Sequence, residues 1–95
     1  GLSEQESWRL LWPLILGTVA NLEAGPTPAS LTGPVSRGDV GTVHRNRAAL
    51  AGQPEIDAIY VALSRHAVGL AQAAGLPDAA AAHLTQALAD APKSR

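Results

Sequence analysis

Ninety-five residues suffice for one domain with a modest core, because a chain of this size buries only about 60–68% of the surface it exposes when unfolded. Seven basic and eight acidic side chains leave a net charge of −1, which supplies no general field for nucleic acid or a membrane surface. The absence of cysteine excludes disulfides, thiolate metal sites and a cysteine nucleophile, and the lack of Phe and Met leaves Leu, Ile, Val, two Trp and one Tyr to fill the core.

Ser3-x-x-Glu6 is a capping box, so a helix is predicted to begin at Ser3. Trp8, Leu11, Trp12, Ile15, Val19 and Leu22 recur at helical spacing behind it. Pro13 interrupts this run and predicts a kink or two abutting helices. Gly25 is the expected C-terminal cap, and Pro26 and Pro28 forbid continuation. The stretch is apolar but carries Arg9, Pro13, Gly17 and Asn21, and no run approaches the ~20 apolar residues that span a bilayer. With no signal-peptide pattern, the expected location is the cytoplasm.

Residues 25–38 form a Gly/Pro-rich loop containing Pro26, Pro28 and Pro34. Asp39 is a good N-cap for a short helix running to about Ala51. Pro54 suits the first turn of a third helix, whose predicted apolar stripe is Ile56, Tyr60, Leu63, Ala67, Leu70 and Ala74, ended by Gly75. Pro77-Asp78 opens a last helix with Leu84 and Leu88 on one side, ending near Ala91-Pro92 before a frayed Lys93-Ser94-Arg95. No strand pattern is present. The expected fold is all-α, a small bundle of four or five helices in a single domain over residues 1–95.

The loop motif Leu31-Thr32-Gly33-Pro34-x-x-Arg37-Gly38-Asp39-x-x-Thr42-Val43 resembles a bacterial family of two-domain proteins. The likeness extends to Gly1-Leu2-Ser3, Trp12-Pro13-Leu14, Gly17-Thr18, Asn21-Leu22, Gly25-Pro26, Tyr60-x-x-Leu63-Ser64-Arg65 and Gly75-Leu76-Pro77. Asn46 and Arg47 depart from the His and Leu that the resemblance leads one to expect. In that family the N-terminal half is Rossmann-like and resembles NAD(P)-dependent reductases. The C-terminal half is a helical domain of unknown function, similar to 6-phosphogluconate dehydrogenase C-terminal-like domains. The resemblance therefore implies a C-terminal dimerisation and cleft-capping domain, truncated at its N-terminal helix. Its expected partners are a second copy and its own Rossmann-like half. NAD(P) would belong to the parent protein and no cofactor to this part. The alternative is a free-standing helical interaction module. The lack of methionine points the same way, to a piece of a longer protein.

Arg37, Thr32 and Asp39 are the candidate substrate or anion contacts. Arg37 sits beside the positive end of a helix and offers donors suited to carboxylate or phosphate. The competing reading is that Arg37 pairs with Asp39 and locks the loop. Arg37-Gly38-Asp39 as an adhesion signal is too short a match to carry weight. His44, Arg45 and Arg47 join Arg37 in a local basic cluster, either facing a cofactor phosphate or, the favoured reading, forming a solvated helix face. A nucleic-acid role for Arg37, Arg45 and Arg47 is disfavoured by the net charge. His44, His66 and His83 lack metal-ligand spacing, and Ser36 and Ser64 have no base at a recognisable spacing. No catalytic residue and no metal ligand are expected. Trp8, Trp12 and the stripe from Ile56 to Ala74 suit either a subunit interface or an intramolecular core.

Overall fold

The computed structural model describes residues 3–24 and 34–90, with side chains of residues 17–24 outside the description. Among these described residues four helices follow in order: α1 (Glu4–Ala24), α2 (Val40–Ala49), α3 (Pro54–Ala73) and α4 (Asp78–Ala89). Among the described residues there is no strand, and the fold is the expected small all-α bundle.

Local signals set the helix boundaries. At α1 the Ser3 backbone N–H donates to Glu6 Oε1 (3.0 Å) while the Glu6 N–H donates to Ser3 Oγ (3.1 Å), the reciprocal bonds of a capping box. α1 then runs as a single helix through Pro13 and ends just before Gly25, which lies outside the described residues with Pro26 and Pro28. Pro54 occupies the first turn of α3. At its other end, Gly75 takes φ +117°, the Leu76 N–H reaches Ala71 O (2.8 Å) and the Gly75 N–H reaches Gln72 O (3.1 Å). This pair of bonds satisfies carbonyls that a helix end leaves free, and the positive φ is why glycine stands there. α2 stops at Ala49 and α4 at Ala89, two residues short of the sequence reading in each case.

α3 is the central element, packed against α1 on one side and α4 on another, while α2 packs on α4. The core joins Leu11, Val35, Val43, Leu50, Ile56, Tyr60, Val68, Ala81, Leu84, Ala87 and Leu88. The predicted α3 stripe begins correctly at Ile56 and Tyr60 and then diverges. Ser64, Val68 and Ala71 are the buried continuation, with Leu63, Ala67 and Leu70 half-buried and Ala74 exposed. A helix covered from two sides buries its middle line, where small residues fit and flanking leucines reach sideways. The most apolar face of α3 is therefore not its deepest one.

Candidate functional site

Asp39 caps α2 as expected: Oδ1 accepts the Thr42 N–H (3.0 Å) and Oδ2 accepts the Thr42 hydroxyl (2.7 Å). Those two bonds hold its carboxyl below the usual carboxylate range, the hydroxyl contributing most. The turn leading in is built by Pro34 and Val35, whose carbonyls accept the N–H groups of Asp39 (2.8 Å) and Gly38 (3.1 Å). Gly38 adopts φ +69°, and a Cβ there would meet Ala80 Cβ at 3.5 Å. That is ordinary contact, so the backbone angle, not space, is what favours glycine. Val35 is buried and anchors the turn to the core.

Arg37 projects from this turn with its side chain 62% exposed, and its Nη2 is 3.9 Å from Asp39 Oδ2. Such a long, solvated pair contributes little to stability, so the guanidinium stays available. The N-terminus of α2 is already filled by the Asp39 carboxylate. Thr32, the third candidate contact, lies outside the described residues. Arg45 is exposed and donates to Thr42 Oγ1 (2.8 Å), which ties it to the cap.

The basic cluster on α2 does not hold together as one face, and Arg47 corrects the expectation of a solvated cation. It is 6% exposed. Its Nε and Nη2 donate to Asp57 Oδ1 (3.2 Å) and Oδ2 (2.8 Å) in the first turn of α3. Its Nη1 donates to the carbonyls of Ala87 (3.1 Å) and Leu88 (3.3 Å) and to that of Asp90. One guanidinium thus takes up the last carbonyls of α4 and pairs with a carboxylate in the first turn of α3, tying the two helix ends together. Being buried and committed to these partners, it is not presented to a phosphate in solvent. Beside it, Asn46 Nδ2 donates to Tyr60 Oη (3.1 Å). Burial pushes the Tyr60 phenol above its ordinary value, with Asn46 pulling it partly back. Ser64, one turn on, lies close enough to the phenol to act in the same direction, yet its buried Oγ makes no well-formed hydrogen bond.

On α1, sequence periodicity did not say which side faces inward. Ser7 and Leu11 are fully buried, and the Ser7 hydroxyl donates to Ser3 O (2.9 Å). Trp8, Trp12 and Leu16 are 42%, 57% and 51% exposed, and Ile59 of α3 beside them is 38% exposed. The core reading of the two tryptophans is therefore corrected: they stand outside the core on an outward ridge. Val19 and Leu22 lie outside the described side chains. His44 is half-buried, and His66 and His83 are exposed. Among the described residues no three His, Asp or Glu side chains group to hold a metal, and no helix is long and apolar enough to cross a membrane.

The chain matches a family model described as a domain of unknown function (DUF2520) over residues 1–67, and it belongs to that family. No curated protein and no solved structure matches it.

Proposed function

We propose that this member of the DUF2520 family is the C-terminal, 6-phosphogluconate dehydrogenase-like dimerisation and cleft-capping domain of an NAD(P)-dependent oxidoreductase-like protein. The observation that carries the dimerisation reading is the outward ridge of Trp8, Trp12 and Leu16. Tryptophan is enriched where proteins meet, and clustered exposed apolar side chains mark interfaces. The capping reading is supported by the loop motif, which ends in an ordered turn that presents an exposed Arg37.

The described residues do not themselves form a dinucleotide site. They contain no strand-to-helix glycine turn, and the Asp39 carboxylate sits where a phosphate would bind the N-terminus of α2. Nucleotide binding is assigned to a Rossmann-like half and the fold-level contacts to this one. On this reading the exposed Arg37 meets a substrate or cofactor anion across the cleft between the two halves.

Sedimentation velocity over a range of concentrations tests the first half of this proposal. A dimer is expected, and a monomer at hundreds of micromolar would overturn it. Calorimetric titration with NADH and NADPH tests the division of labour, because micromolar binding to this chain alone would contradict it.

A further inference from the structure

The ridge on α1 has two chemically opposite flanks. Successive residues of an α-helix turn by about 100°, which sets Gln5, Arg9 and Pro13 on one side of the Trp8–Trp12 line and Glu4 on the other. The structure bears this out. Gln5, Trp8, Arg9, Trp12 and Pro13 line a groove of about 450 Å³. On the far side of Trp8, Glu4 and Glu55 line a second groove together with Ile56 and Ile59. Among the described residues the ion pairs join Arg37 to Asp39 and Arg47 to Asp57, and neither takes Arg9, Glu4 or Glu55. Arg9 acts on Glu6 only as a minor longer-range charge, behind the capping bonds from Ser3.

We propose that this ridge packs on the same ridge of a second copy about a two-fold axis running alongside α1, so that Arg9 of each copy faces Glu4 and Glu55 of the other. The proposal rests on the dimerisation reading above and adds the partner surface and its orientation. A two-fold axis parallel to the ridge exchanges its flanks, so basic meets acidic twice. An axis across the ridge would bring each flank against its own like, Arg9 beside Arg9. Like charges so placed are unfavourable, whereas complementary ones fix register. The apolar centre then excludes water from Trp8 and Trp12, the side chains best suited to anchor an interface.

Charge reversal tests this. Arg9→Glu makes both flanks acidic, and Glu55→Arg sets a cation beside Glu4 and cancels the charge of the acidic flank. Each variant alone is expected to dimerise roughly tenfold more weakly or worse than the wild type, and an equimolar mixture is expected to recover dimerisation through heterodimers. Far-UV circular dichroism confirms that each variant keeps its helices. Salt gives a readout free of any mutation: the wild-type dimer should weaken as salt rises, whereas like-to-like flanks would strengthen. A dimer indifferent to both reversals, yet lost in Trp8→Gln/Trp12→Gln, would overturn this orientation while leaving dimerisation intact. A wild type that stays monomeric throughout would overturn both.

Discussion

Two regions of this domain reverse the usual rule in opposite directions. Where α2, α3 and α4 meet, a charged pair, Arg47 and Asp57, is buried. Along the outer side of α1, two tryptophans and a leucine are exposed. The first region is internally complete, because the guanidinium has three carbonyls and a carboxylate to itself. The second is incomplete, because its apolar surface has no partner within the described chain. The comparison separates a part that holds the fold from a part that is free to do something else. Changes at the polar junction should therefore cost stability, and changes on the ridge should cost association.

The largest expected effect is at the junction. Arg47→Ala leaves Asp57 buried and uncompensated and frees the end of α4, and should destabilise by about 3–5 kcal/mol in chemical denaturation. In a domain whose whole stability is on the order of 5–15 kcal/mol, that endangers folding. The paired change Arg47→Met with Asp57→Leu should come much closer to wild type, since it removes both charges together. If the pair costs as much as the single change, the terminal carbonyls of α4 matter more than the ion pair.

Asp39→Ala comes next and should lower the melting temperature by several degrees through loss of the α2 cap. The acid side follows from the depressed carboxyl of Asp39. Its contribution is present above the ordinary value of about 4 and is lost as pH falls through the lower folded value. Asp39→Asn should flatten the decline in stability measured between about pH 4 and pH 2.

Tyr60→Phe should cost about 0.5–1.5 kcal/mol by leaving Asn46 without its acceptor. Because burial raises the phenol, its contribution is complete below about pH 10 and is lost as pH climbs through the folded value. The alkaline fall in stability should be shallower in the Phe variant. The smallest effect on stability is at Arg37. Arg37→Ala should barely move the melting temperature, given the loose 3.9 Å pair. A large drop would show instead that Arg37 locks the loop and is not held ready for an anion.

The sequence revealed most where the signal is local. The capping box of Ser3 and Glu6, the Asp39 cap, Pro54 at the start of α3 and Gly75 at its end each act within a few residues, and each stands where expected. Arg47 was misread because its partners lie ten residues and forty or more residues away, and only the packing of three helices brings them together. A cation in the last turn of a short helix is ordinarily solvated, and nothing nearby marks this one as buried. Trp8 and Trp12 were ambiguous for a different reason. α1 is apolar on most of its circumference, so periodicity predicts a helix but not its inward side. Ser64 shows the same limit on α3, where a small residue at the buried line outranks the leucine beside it.

Both tryptophans of the chain lie on the ridge, so the whole intrinsic tryptophan signal reports on the surface in question. The most direct measurement is therefore the tryptophan emission maximum of the wild-type chain on serial dilution from hundreds of micromolar to nanomolar. The account predicts a blue-shifted maximum at high concentration that moves to the red in a single transition as the ridge is uncovered. A red, concentration-independent maximum across the whole range would contradict it, because the ridge would then face water in every state of the molecule.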